Sequence, residues 1–272
     1  QNAAMNQPKN ALPEADAPLL HRRDARGVHV LTLNTPARFN VLGESMLGAL
    51  ESSLEQVRTD NAARVVVLGA IGKAFCAGHD LKEMKAHTDL DYFQSLFARC
   101  SRFMLAIQQL PVPVIARVQG LATAAGCQLV AQCDLAVAVD TARFGVNGID
   151  AGLFCATPSV PLVRNMAPKL AMEMLVTGEF ITAAEAKVRG MVNRVVEPSQ
   201  LDAEVERLVG AILSKPREAL AMGKQLFHQQ REMGVAGAYQ LASQTMAYNM
   251  VHPVAQEGVQ AFIDKREPQW PT

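Results

Sequence analysis

The chain has 272 residues, which suits one large domain or one domain with a small appendage and leaves no room for a third. With 49% hydrophobic and 19% charged residues it can bury a full-sized core, and 26 basic against 26 acidic residues create no broad field for nucleic acid or anionic lipid. No run reaches the roughly 18 apolar residues that span a bilayer.

Residues Gln1 to Ala17 lack a basic segment followed by an apolar one and read as a loose tail rather than a secretory signal. From Val28 to Asn34 apolar and polar residues alternate, as in a half-buried strand, and Pro36 ends the run before a loop, PARFN. Met46, Leu47, Leu50, Leu54 and Val57 have helical spacing within Gly43 to Thr59, and VVVLGA, Val65 to Ala70, is the continuous apolar run of a sheet interior. The alternation recurs: a helix over Tyr92 to Leu110, a strand over Val114 to Val118, helical character over Cys127 to Cys133 and a strand over Asp134 to Val139. Further helices are predicted at Pro168 to Thr177, Ala183 to Arg189, Gln200 to Leu213, Pro216 to Met233, Ala236 to Met250 and Ala255 to Lys265. The expected division is a tail over 1–18, a mixed α/β core over 19–198 and a helical region over 199–272.

The five cysteines, Cys76, Cys100, Cys127, Cys133 and Cys155, form no CxxC pair and mostly sit in apolar runs. They read as small buried groups in a reducing compartment and give no metal site; a cytoplasmic location is expected from missing signals alone, with an organelle matrix after processing as the equal alternative. VVVLGAIG places a strand before two glycines, but the third glycine of a dinucleotide fingerprint is missing. Neither GxSxG nor HExxH occurs, so a serine hydrolase and a zinc protease have no support.

Two segments look like backbone donor sites: KAFCAGHD, Lys73 to Asp80, and GLATAAGCQL, Gly120 to Leu129. In each a strand runs into Gly and Ala, whose small side chains let a ligand approach the main chain. The second leads into a helix whose first N–H groups lack intrahelical acceptors and lie at the positive end of its dipole. Two such donors facing one point would hold an oxygen gaining negative charge. The plainer alternative is that these glycines serve only tight turns and close packing.

These segments, followed by ARFGVNGIDAGLF, LAMEMLVTGEFITAAEAKVRGMVNRVV and AFIDKREPQW in that order, resemble the crotonase family, the enoyl-CoA hydratase/isomerase superfamily, over roughly Leu19 to Trp270. The resemblance implies an α/β fold, a crotonase-like spiral of ββα units, with a C-terminal helical oligomerisation region giving homotrimers or dimers of trimers. It implies an acyl-CoA thioester as partner, coenzyme A entering as part of the substrate and no separate cofactor. The thioester carbonyl would lie between the amides of His79 and Ala125, stabilised as an enolate. Ala77, Asp80 and Leu81 would lie beside the adenine and pantetheine, with Phe262 and Lys265 at the adenosine end. Arg38 and Arg266 invite a weaker phosphate-binding argument.

The chain departs from the family where hydratases carry two glutamates: Gln128 stands at the first position and Gly148 at the second. An amide does not exchange protons at neutral pH and glycine has no side chain. A general acid or base contributes about 10²–10⁴-fold, so slow hydration is expected and acyl-CoA binding with little or no turnover is the alternative reading. Asp150, two residues past the missing acid, is either its stand-in or a structural cap. The His79 imidazole is a candidate base, with packing as its plainer role. Cys155 and Ala156 occupy places where some relatives carry acids, and Gly148 is also compatible with the naphthoyl-CoA synthase branch, where bicarbonate replaces the carboxylate. Met84, Phe93, Phe97, Phe154 and Leu162 are candidates for lining the acyl pocket.

Overall fold

The computed structural model describes residues 17–271 of the chain. All but the last two residues of the expected tail over 1–18 therefore lie outside the described residues.

Two sheets are laid down alternately along the chain. The larger has six strands in the order β1 (Leu19–Arg23), β2 (Val28–Leu33), β3 (Val65–Ala70), β5 (Val114–Val118), β7 (Leu135–Val139) and β10 (Arg194–Val196). The smaller has four in the order β4 (Ala74–Cys76), β6 (Leu121–Thr123), β8 (Arg143–Gly145) and β9 (Ile181–Thr182). Only β1–β2 and β8–β9 pair antiparallel; the rest are parallel. Each strand β3, β5 and β7 is followed by one strand of the small sheet and then by helix, so the chain advances as a spiral of ββα turns. VVVLGA is buried at every position because β3 lies between β2 and β5 with both faces covered.

The helices obey the same burial logic. α1 (Glu44–Thr59) buries Met46, Leu47, Leu50, Leu54 and Val57, and α3 (Leu90–Gln109), capped by the Asp89 side chain, buries Leu96, Cys100, Phe103, Met104 and Ile107. Between them lies α2 (Leu81–Lys85), where the Asp80 carboxylate accepts from the Lys82 and Glu83 amides. α4 (Ala125–Gln132) is buried along nearly its whole length. α5 (Ala156–Asn165) was not predicted, because Pro158 and Pro161 break the helical signal; Pro161 is tolerated inside it and buried. α6 (Pro168–Thr177) coincides with the sequence expectation, and α7 (Ala183–Val188) opens with a capping box between Thr182 and Glu185.

After Pro198 come α8 (Leu201–Leu213), α9 (Arg217–Gln230), α10 (Val235–Val251) and α11 (Pro253–Ile263). α8 packs on the large sheet through Leu201, Val205 and Val209. Lys224 of α9 is almost buried and donates to the carbonyls of Ile107 and Val112 at 2.9 and 3.0 Å and to Asp134 Oδ2 at 2.6 Å. α10 exposes Val235, Tyr239, Met246, Tyr248 and Val251, each more than 70% accessible. All five cysteines are free and buried, and burial pushes the Cys76 and Cys127 thiols up to about 12.

At the far edge of the large sheet, Asp60 ties α1 to β1 and β2. Its Oδ2 accepts from Arg23 Nε at 2.6 Å and lies 2.9 Å from His29 Nε2, while His29 Nδ1 meets His21 Nε2 at 2.9 Å. The Arg23 guanidinium, ahead of any other group, holds the Asp60 carboxyl down to about 2. Among the described residues no helix is long and apolar enough to cross a membrane.

Candidate active site

The PARFN loop supports one half of the site. Phe39 and Asn40 both take left-handed backbone, φ 53° and 54°, and the buried Asn40 side chain accepts from Thr35 N and donates to the carbonyls of Ile71 and Ala74. Its neighbours then hold the segment after β4: Ala77 N donates to Phe39 O at 3.0 Å and Leu42 N to Gly78 O at 2.7 Å. The chain runs through Gly78 at φ +90°, a conformation that favours glycine, and turns the next residue, His79, toward α4.

Close backbone packing supplies the other half. A Cβ on Gly126 would lie 2.1 Å from the carbonyl oxygen of Cys76, so only glycine lets the first turn of α4 rest on β4. A Cβ on Gly78 would lie 2.9 Å from Ala124 Cβ and 3.3 Å from Ala125 N. The segments expected to supply donors are thus in contact. Ala124, the residue before the helix, adopts φ 49° and ψ −121°, strained backbone for a non-glycine residue, and is held by its N–H to Gly145 O at 2.9 Å. Among the described residues neither His79 N nor Ala125 N has a backbone acceptor. The Ala125 amide is one of the orphan donors at the start of α4.

Both residues line a cavity of about 470 Å³. Ala77, Leu81, Met84 and Phe97 cover one side, and Thr123, Asn147, Gly148 and the segment Ala151 to Pro158 the other. Among the described residues no Asp or Glu lines it. The Thr123 hydroxyl donates to Asn147 Oδ1 at 2.6 Å. His79 Nδ1 lies 3.3 Å from Leu42 O, its Nε2 is buried without a hydrogen-bond partner, and its ring meets Phe97 edge-on at 5.6 Å. Burial pushes the His79 imidazole below its ordinary 6.5, with the Leu42 carbonyl opposing. Burial also raises the Cys155 thiol, against the pull of the Gly148 N–H beside it.

The remaining expected site residues fall out as follows. Gln128 is buried one turn along α4 from Ala125, with Oε1 unpartnered, and does not line the cavity. Gly148 lines it, but a Cβ there would lie 2.5 Å from Leu153 O and 2.8 Å from Cys155 Sγ. Asp150, offered as a stand-in acid or a structural cap, lies away from the cavity. It sits in a 3-10 turn over Asn147–Ala151, exposed, with its carboxylate oxygens against Gly178 and outside the cavity lining. Asp80 is buried and engaged with the α2 amides and Arg38, which answers the phosphate argument for Arg38 within this chain; Arg266 likewise pairs with Glu257 at 2.7 Å. Phe262 is 84% exposed on α11 and Lys265 lies just past its end, neither of them lining the cavity. Met84, Phe97 and Phe154 line the cavity, whereas Phe93 does not and Leu162 is core. Thr123 and Asn147 were missed; the signal was their position immediately before Ala124 and Gly148. Among the described residues no group of three His, Cys, Asp or Glu side chains could hold a metal ion.

A two-sheet ββα spiral whose small-residue turns set paired amides at a cavity defines a crotonase-type protein. The family model described as enoyl-CoA hydratase/isomerase matches residues 23–272, and the chain belongs to that family. It is similar to the mitochondrial enoyl-CoA hydratase domain-containing protein 3 of Rattus norvegicus, 43% identical over 258 residues, covering 95% of this chain and 86% of the relative. Among solved structures it resembles an enoyl-CoA hydratase of Mycobacterium smegmatis, at 59% identity and TM-score 0.92 over 94% of this chain and 99% of that one. It also resembles human enoyl coenzyme A hydratase domain-containing protein 3, at 42% identity and TM-score 0.90 over 93% and 100% of the two chains. The word "mitochondrial" in the rat relative's name bears on the cytoplasmic expectation, which rested on missing signals alone.

Proposed function

We propose that the chain is an enzyme acting on acyl-CoA thioesters through enolate stabilisation, with the amides of His79 and Ala125 as the oxyanion donors. The observation that carries this reading is the contact of Gly78 with Ala124 and Ala125, beside two amides without acceptors at the wall of an apolar cavity. A thioester enolate concentrates charge on one oxygen, and each well-aimed donor lowers its barrier by about 3 kcal/mol. The thioester itself withdraws the electrons, so the reading requires no further cofactor.

Efficient hydration is not the reaction we assign. Hydration needs a group to activate water and another to handle the α-proton, and among the described residues no carboxylate lines the cavity. The same observation favours a second reading, in which acyl-CoA is held with little turnover. We further propose that α8 to α11 form a helical region joining copies of the chain into a trimer or dimer of trimers, which the apolar surface of α10 supports.

The test is calorimetric titration of the purified chain with CoA and acetyl-CoA, beside turnover of a thioester panel that includes crotonyl-CoA. Binding with turnover on any member of the panel other than by fast hydration supports the enzyme. Binding without turnover supports the second reading, and no binding refutes both. Gly126→Ala, which drives a methyl into the Cys76 carbonyl, should abolish binding to an otherwise folded chain.

A further inference from the structure

His21 of β1 and His29 of β2 meet nitrogen to nitrogen at the edge of the large sheet, His21 Nε2 lying 2.9 Å from His29 Nδ1. His29 is 2% exposed, and its other nitrogen, Nε2, lies 2.9 Å from Asp60 Oδ2. The three side chains thus form one chain of hydrogen bonds, whose ends decide where the hydrogens sit. Ionised Asp60 only accepts, so His29 Nε2 carries a hydrogen. In the neutral pair His29 Nδ1 is then the acceptor and His21 Nε2 the donor.

One added proton leaves the chain whole. His29 becomes doubly protonated and donates both to Asp60 and to His21 Nε2, while the single hydrogen of His21 sits on Nδ1. A second proton does not fit. It sets two N–H groups head to head across 2.9 Å with no lone pair between them, and places two like charges in contact.

The charged groups facing the pair come from three elements. Period two puts Arg23 on the face of β1 that carries His21 and leaves Arg22 on the other. Arg23 Nε donates to the same Asp60 oxygen at 2.6 Å, adding a positive charge beside the rings. From β2 comes His29, and from the end of α1 comes Asp60, while Glu55 and Arg58 of that helix pair with each other. Burial first, and the His29 ring second, hold the His21 imidazole below its ordinary 6.5. Neutral His21 therefore stabilises the fold fully above pH 6.5, and this contribution is lost as the pH falls below it.

We propose that the His21–His29 pair is an acid-sensitive fastening of β1: it takes up one proton with its contact intact and parts when the second arrives. Among the described residues β2 is the one strand that β1 pairs with, so a parted pair frees an edge strand. Its departure bares the edge of β2 as a template for another strand.

Hydrogen exchange of the full chain tests it, read by mass spectrometry on peptides covering β1 and corrected for intrinsic rates. The window runs from pH 6.5 down to about 4.5, where Asp60 stays ionised. Protection of β1 should fall about tenfold, the effect of one proton held a pKa unit below its free value, while β5 in the sheet interior keeps its protection. In His21→Gln, whose amide nitrogen donates to His29 Nδ1 and takes no charge, the fall should disappear. Imidazole NMR of the wild type should show the two rings titrating in two separate steps. Level protection in the wild type, a fall that survives in His21→Gln, or rings that titrate independently of each other overturns the proposal. Should the variant not fold, exchange and NMR of the wild type decide by themselves.

Discussion

Sequence alone makes restoring the family's second glutamate at Gly148 a route to a hydratase, and the structure predicts that it fails. The first carbon of any side chain at 148 would stand 2.5 Å from Leu153 O and 2.8 Å from Cys155 Sγ. The carbonyl is backbone and sits in a turn closed by Leu153 N to Gly148 O at 2.9 Å, so it has little freedom to retreat. Overpacking of this kind costs about 1–3 kcal/mol, and Gly148→Ala should sit near the upper end. For 272 residues the unfolding entropy is about 0.6 kcal/mol per degree, so the melting temperature should fall by about 2–5 °C. Scanning calorimetry measures it, with Gly210→Ala as control, because Gly210 is exposed on α8 with nothing within 4 Å of an added Cβ. That variant should gain about 0.5–1 kcal/mol from helix propensity. Gly148→Glu should melt low and show no gain in crotonyl-CoA hydration. Adding Cys155→Ala removes the sulfur contact but not the carbonyl, so it should recover only part of the loss. A Gly148→Ala protein that melts with the wild type, or a Gly148→Glu protein that is both stable and a fast hydratase, would refute the steric argument.

Ala124 bears positive φ beside the proposed oxyanion donor, and Ala124→Gly should stabilise the chain by about 1 kcal/mol, read as a small rise in melting temperature. Asp60 is held at about 2, below its ordinary 3.8, so its contribution is present above 3.8 and disappears as the pH falls through about 2. Asp60→Asn should therefore be less stable than the wild type at neutral pH, and urea titrations should converge below pH 3.8. Lys224→Met strands the part-buried Asp134 and two carbonyls, and should cost about 3 kcal/mol by the same assay.

Legibility in the sequence followed length. VVVLGA is an unbroken six-residue apolar run, VIARV at Val114–Val118 is rich in β-branched residues with one charge, and Pro168–Thr177 has a proline at its first turn and a glycine after its last, so pattern alone locates them. The strands of the small sheet are two or three residues long, too short for any period to register. They exist because β4, β6, β8 and β9 find one another across the chain. The segments proposed to supply the oxyanion donors stand out in the sequence because small residues must flank such a pair. Asp150 stayed open between stand-in acid and structural cap because a 3-10 turn carries no period by which to judge which way a carboxylate faces, and the partners of Gln128 and His79 depend on contacts that only the folded chain specifies.

The proposed donors at 79 and 125 are main-chain atoms, set in place by a glycine each, Gly78 and Gly126. Substitution of the lining side chains leaves them where they are. Side chains at the cavity wall can therefore be exchanged, and the chemistry with them, without dismantling the pair. Gly78 and Gly126 are the letters least free to drift.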